Sequence, residues 1–186
     1  EVESVLYSPD LLTSGFAHDL ITRLDFTPQP VTPQVMESLA DKENPQGILA
    51  VVRQRTFSFD DLKPVRRGVA LVSPQDPGNV GSILRTMDAV GADALFLLDG
   101  GVDVFHPSVV RASMGTIFWK PILHATFEDF TTWARRGGLR LIGTSARAET
   151  DYRAAQLTPP WVLVLGPEQK GLSAAQLSAC DLTVSL

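Results

Sequence analysis

The chain has 186 residues, 44% of them apolar, and a formal net charge of −5. That length allows one large domain, or one domain and a smaller one. No apolar run approaches the ~18 residues that span a membrane, no stretch has signal-peptide form, and one cysteine, Cys180, excludes an internal disulfide framework and fits a reducing, cytoplasmic setting.

Charge is unevenly distributed. Residues 1–50 carry eight acids and two bases, whereas residues 51–186 carry thirteen acids and fourteen bases. Between Arg53 and Arg67 five bases (Arg53, Arg55, Lys63, Arg66 and Arg67) face two acids. Such a stretch is either a phosphate-binding patch on an acidic protein or a solvated linker.

In chain order, Val2 to Tyr7 reads as a strand. Ser8-Pro9-Asp10 has the form of a helix start, with Leu11, Leu12, Phe16, Leu20, Ile21 and Leu24 as the expected buried face. Thr32-Pro33 opens a second helix, residues 41–47 form a loop, and Ile48 to Val52 reads as a buried strand. Residues 1–58 are therefore expected to form a small α/β unit, residues 59–67 a linker, and residues 68–186 the main domain.

From Gly68 the alternation is regular. Strands are expected at Val69–Val72, Ala94–Leu98, Ile117–Leu123, Leu139–Gly143, Trp161–Leu165 and Leu182–Leu186. Helices are expected at Val80–Val90, near Pro107–Ser113, at Phe127–Arg135 and around Ser173–Ser178. Strands separated by helices predict a mostly parallel, doubly wound sheet. Asn79 is the expected cap of the helix after the first strand, and Ser82 and Arg85, three apart, share one of its faces.

Ligands in such sheets bind at the carboxyl ends of strands. The loops Ser73–Asn79 and Gly166–Gly171, and the Thr144-Ser145 step, are the candidates. Neither loop is a dinucleotide fingerprint or a P-loop: Gly78-x-x-Gly81 lacks the further glycine, and no Gly-Lys-Ser/Thr follows Gly166. The three histidines are scattered, so no metal is expected. His106 stands beside Pro107 as a surface or capping residue. Arg111 is either a solvated helix residue or a phosphate contact.

Three segments, in this order, resemble the motifs of the SpoU/TrmH branch of the SPOUT methyltransferases. They are Asn79-Val80-Gly81-Ser82-Ile83-Leu84-Arg85-Thr86-Met87-Asp88-Ala89-Val90-Gly91, Val110-Arg111-Ala112-Ser113-Met114-Gly115, and Val164-Leu165-Gly166-Pro167-Glu168-Gln169-Lys170-Gly171-Leu172. The likeness covers roughly residues 66–186. Residues 1–60, Asn44 to Val52 above all, resemble the end of the small RNA-binding domain that precedes many members.

The resemblance implies S-adenosylmethionine as methyl donor, a ribose 2′-hydroxyl of rRNA or tRNA as acceptor, a C-terminal trefoil knot, and a homodimer. It implies Asn79 and Arg85 as the residues serving the chemistry. For the cofactor it implies Thr144, Ser145, Leu165, Gly166, Glu168, Gly171 and Leu186; with RNA as substrate, the basic stretch makes Arg53, Arg55, Arg66 and Arg67, and the middle segment Arg111, the candidate RNA contacts. The family's third motif and knot-closing helix would follow Leu186, so the chain as given is expected to hold cofactor poorly without them. A non-catalytic RNA-binding relative is the alternative reading, and a general nucleotide-binding α/β protein a third.

Overall fold

The computed structural model describes residues 1–40 and 44–185. It divides into two compact units, Glu1–Arg55 and Thr56–Leu186.

The first unit carries a three-stranded sheet of order β2-β1-β3, from β1 (Val2–Tyr7), β2 (Gln29–Pro30) and β3 (Ile48–Val52). Helices α1 (Gly15–Thr22) and α2 (Pro33–Ala40) complete it. Helix α1 does not start at Ser8. Ser8 is buried, its N–H donates to the Gly47 carbonyl, and its own carbonyl accepts from Leu11 and Leu12. Gly47 explains the turn: at φ +76° it lies so close to residues 11–12 that a Cβ there would sit 2.6 Å from the Leu12 nitrogen. The cap passes to Ser14, whose hydroxyl accepts from the Ala17 N–H. The expected buried face changes with it: Leu12 is buried, but Phe16 is 78% exposed. Strand β3 forms where expected but is not buried, since Val51 and Val52 are exposed. Of the expected 41–47 loop, residues 41–43 lie outside the described residues.

The second unit is a seven-stranded sheet of order β6-β5-β4-β9-β7-β10-β8. Its strands are β4 (Arg67–Val72), β5 (Ala94–Leu98), β6 (Ile122–Ala125), β7 (Arg140–Thr144), β8 (Thr150–Asp151), β9 (Trp161–Leu165) and β10 (Leu182–Ser185). Every pairing in it is parallel. Its helices are α3 (Pro77–Ala89), α4 (Pro107–Ala112), α5 (Phe127–Arg136) and α6 (Ala174–Ser178).

Side chains alternate across this sheet with period two. Ala70, Val72, Phe96, Leu98 and Val164 join a core with Phe130 and Ala134 of α5. Leu71, Leu95 and Leu97 point the other way, to Val80, Leu84 and Met87 of α3 and Val109 of α4. Both faces are covered, so the strands read as continuous apolar runs. Phe57, Phe59 and Leu62 pack on the first of these cores, and residues 59–61 form a 3-10 turn. Burial of one ring such as Phe96 or Phe130 stabilises by about 1.5–3 kcal/mol.

Two expected elements shift. Asp76, not Asn79, caps α3: its carboxylate accepts the Asn79 N–H at 3.0 Å and Pro77 takes the first helical position. The expected strand Ile117–Leu123 becomes a 3-10 turn at Thr116–Phe118 followed by β6. Gly115, at φ +93°, opens that turn, and Pro121, which has no N–H, delays the strand. Next to β7, burial pushes the Cys180 thiol up to about 11, with the Asp181 charge adding to the shift. A Cβ on Gly143 would lie 2.9 Å from its sulfur.

Helices α3 and α4 meet at Gly81, where a Cβ would sit 2.5 Å from the Ala112 Cβ and 2.8 Å from the Val109 carbonyl oxygen. A helical Gly→Ala change normally gains up to about 1 kcal/mol, whereas overpacking costs about 1–3 kcal/mol. Gly81→Ala is therefore expected to destabilise the second unit by about 1 kcal/mol net, read as a lowered urea midpoint. A midpoint at or above wild type would contradict this packing.

Candidate active site

Strands β4, β9 and β7 are neighbours, and their carboxyl ends present the three expected segments side by side. The loop after β4 leads through the Asp76 cap into α3. The loop after β9 runs from Gly166 to Gly171, and β7 ends at Thr144.

The two longer loops meet through one carboxylate. Asn79 Nδ2 donates to Glu168 Oε1 at 3.4 Å. Glu168 is held below its ordinary value of 4.5, first by its own backbone N–H and then by the Asn79 side chain and the N–H groups of Asp76 and Gln75, against the opposing effect of burial. Because Asp76 supplies the cap through its side chain, the Asn79 amide is free to reach across. Gly166 permits the close return of its loop: any Cβ there would collide with the backbone of Gly171 and Leu172. Gly171 turns the chain at φ +66°.

Between the loops is a pocket of about 240 Å³ with apolar walls from Leu71, Ile83 and Leu165 and polar groups from Asn79, Ser82 and Glu168. Asn79 and Glu168 also line an adjoining groove of about 1020 Å³, with Ser73, Gln75, Gln169 and Lys170. A few convergent polar groups on an apolar wall is the usual form of a small-molecule site.

Asn79, Leu165, Gly166 and Glu168 are therefore gathered at one place. Thr144 adjoins them through β7, its hydroxyl donating to the Val164 carbonyl at 3.3 Å. The Ser145 N–H donates to Val184, and its hydroxyl accepts from Arg147. Arg85 is exposed, one turn beyond Ser82 on α3. Leu186 lies outside the described residues.

The basic residues fall in both units. Arg53 pairs with Glu3 at 2.9 Å, and it and Arg55 belong to the first unit. Arg66 and Arg67 belong to the second, at the amino end of β4, where their N–H groups donate to Asp93. The length of β4 puts them about 17 Å from the loops at ~3.3 Å per residue. Arg111 is exposed in the last turn of α4. His106 caps α4 through Nδ1, which accepts the Ser108 N–H. No cluster of three metal-ligating side chains occurs among the described residues.

Sequence reasoning missed the backbone N–H groups of Gln75 and Asp76, and the wall residues Leu71 and Ile83. Asp76-Pro77 did carry a readable sign, an N-cap acid followed by proline.

Known proteins resemble this chain throughout. Residues 66–186 match the model of the SpoU rRNA Methylase family. The 23S rRNA (uridine(2479)-2'-O)-methyltransferase of Streptomyces viridochromogenes is 33% identical, covering 100% of this chain and 68% of that protein. The 23S rRNA (guanosine(2553)-2'-O)-methyltransferase RlmP of Bacillus subtilis is 28% identical, covering 83% of this chain and 61% of that protein. The structure of the SpoU methyltransferase AviRb from Streptomyces viridochromogenes in complex with the cofactor AdoMet superposes with a TM-score of 0.87 at 30% identity, covering 100% of this chain and 74% of that one.

The lowered pKa of Glu168 has a sign that can be checked. Its contacts contribute fully above the ordinary value of 4.5 and are lost as pH falls through the depressed folded value. A carboxyl-carbon NMR titration should place the Glu168 midpoint below 4.5. Asn79→Ala should move it upward only partway, because the carboxylate keeps its own N–H. A wild-type midpoint at or above 4.5 would contradict the bridged loops.

Proposed function

This chain belongs to the SpoU rRNA methylase family, and from that premise we propose that it takes part in methyl transfer from S-adenosylmethionine to a ribose 2′-hydroxyl of RNA, with rRNA as the substrate class. The observation that carries the reading is the meeting of the Asn79 and Glu168 loops over one pocket at adjacent strand ends. The rRNA assignment draws on the activity that the two named relatives have.

The donor set fits the cofactor. Leu71, Ile83 and Leu165 offer an apolar wall for a purine face, and the Gly166–Gly171 loop brings backbone close to a ligand. Thr144, Ser145, Leu165, Gly166, Glu168 and Gly171 are the residues that would hold it. When bound, S-adenosylmethionine supplies a methyl group made electrophilic by its sulfonium. The ionised Glu168 places a negative charge beside that pocket, which favours a cation over its neutral demethylated product.

Transfer needs the acceptor oxygen in line with the methyl, so orientation supplies much of the rate. Asn79, held by Glu168 and seated at the start of a helix, has an amide that can orient the ribose. Arg85 has five donors and no acceptor, so it is not the base. Its exposed guanidinium suits a phosphate next to the acceptor ribose, which leaves a phosphate oxygen able to receive the hydroxyl proton. A homodimer belongs to this reading, and exposed Val90, Met114, Phe118 and Trp119 give an apolar surface that a second copy could cover. A cytoplasmic setting fits the single cysteine.

The test is transfer of labelled methyl to bulk rRNA and tRNA, followed by alkaline hydrolysis, using the full-length protein. Label in alkali-resistant dinucleotides from rRNA is expected. Label in mononucleotides would mean base methylation and would overturn the ribose assignment, and label confined to tRNA would overturn the rRNA assignment. Arg85→Ala should lower transfer at least about tenfold with S-adenosylhomocysteine affinity nearly unchanged. Equal activity would remove Arg85 from the mechanism.

A further inference from the structure

At the end of the second unit's sheet away from the loops, a groove of about 480 Å³ opens between the 3-10 turn and α5. Its apolar lining includes Phe59, Leu62, Trp133 and Pro160, and its polar lining Lys63 and Arg66. The wall is rigid. The rings of Phe59 and Trp133 stack with centroids 4.9 Å apart, and both pack against Phe96, which is fully buried. The last turn of α5 adds Arg135 and Arg136, between the lining residues Trp133 and Gly137, whereas the Arg67 guanidinium lies on the other face of the sheet, near Gly91.

The charge balance is local. Lys63 and Arg66 line the groove and Arg135 and Arg136 stand on its flanking helix turn, with the acids Asp60, Asp61 and Asp93 nearby. Asp61 hydrogen-bonds Ser58, and Asp93 accepts the N–H groups of Arg66 and Arg67. None of these four cations is in an ion pair among the described residues. Arg135 and Arg136 also answer the helix dipole, which accounts for their presence but not for Lys63 and Arg66. An aromatic wall beside cations suits a nucleotide: the base lies on the ring surface and the phosphates meet the charges.

We propose that this groove accepts a base of single-stranded RNA, making the amino end of the sheet a second RNA contact separate from the methyl-transfer site. The inference rests on RNA being the substrate. It assigns the Arg66 region a place that does not require it to reach the catalytic loops, about 17 Å away at ~3.3 Å per residue. Its occupant is an unpaired nucleotide flanking the modified position, because the stacking surface can be met only by a base free of its own partner.

The experiment measures anisotropy of a labelled oligouridylate of about eight nucleotides and of an abasic ribose-phosphate strand of equal length. The wild-type chain is expected to bind the base-bearing strand about tenfold more tightly than the abasic one. Lys63→Glu/Arg66→Glu is expected to weaken the oligouridylate at least about tenfold and to lower the slope of log K against log salt by about 1.4, for two phosphate contacts. S-adenosylhomocysteine affinity of that variant is expected to stay within about twofold by calorimetry. Equal binding of the two strands, or undiminished RNA binding by the variant, overturns the groove proposal while leaving methyl transfer standing. Loss of RNA and S-adenosylhomocysteine binding together also overturns it, because the damage is then not confined to the groove. A wild-type chain that binds S-adenosylhomocysteine but neither strand overturns the groove and the RNA reading alike.

Discussion

Burial of the parallel sheet on both faces is the constraint from which the second unit follows. Helices α3 and α4 cover one side and α5 and α6 the other, so neither face has room for polar chemistry. Polar groups are confined to the ends of the strands, where backbone N–H and C=O groups leave the ladder. At the carboxyl ends the loops are glycine-bearing and joined by a carboxylate. At the amino ends the chain places arginines. The separation of these two kinds of surface is thus a product of how the core is made.

The bridge between Asn79 and Glu168 shows how a cap can serve a site. A helix start needs an acceptor for its free N–H groups. If Asn79 supplied it, its side-chain oxygen would turn back onto its own helix. Asp76 supplies it instead, three residues earlier, and Pro77 fixes the first helical φ. The Asn79 side chain is then available to Glu168, 89 residues away in sequence. Glu168, in turn, collects N–H groups from both loops, so the negative charge that favours a cationic ligand also fixes the pocket that receives it.

Much of this was legible in the residues. The run Ala94–Leu98 and the run Trp161–Leu165 formed strands with those bounds, because continuous apolar residues between turn formers leave few alternatives. Helix α2 and a helix around Ser173–Ser178 were equally plain. What failed was decided by contacts distant in sequence. Nothing near Ser8 announces that Gly47 will lie against residues 11–12 and displace the helix start. Nothing near Ile117 shows that the Lys120 ammonium is drawn to the Ala92 carbonyl and Asp88, ahead of a strand that waits for Pro121. The short strands β2 and β8 have two residues each and no pattern to read. In the site, the motif residues were legible from resemblance and the loop glycines from turn chemistry. The N–H groups of Gln75 and Asp76 were not, because backbone donors leave no mark in a sequence.

The chain's one thiol lies against Gly143 of β7, where Cys180 and Leu172, on either side of α6, leave no room for a side chain on that glycine. Thiol reagents react with thiolate, and burial has moved Cys180 well away from forming it at neutral pH. Alkylation at that half-buried sulfur is therefore slow at neutral pH, because the thiol stays protonated. Helix α6, just before it, follows directly on the Gly166–Gly171 loop, so the reactivity of this one thiol reports on the packing of the segment beside the ligand-facing edge.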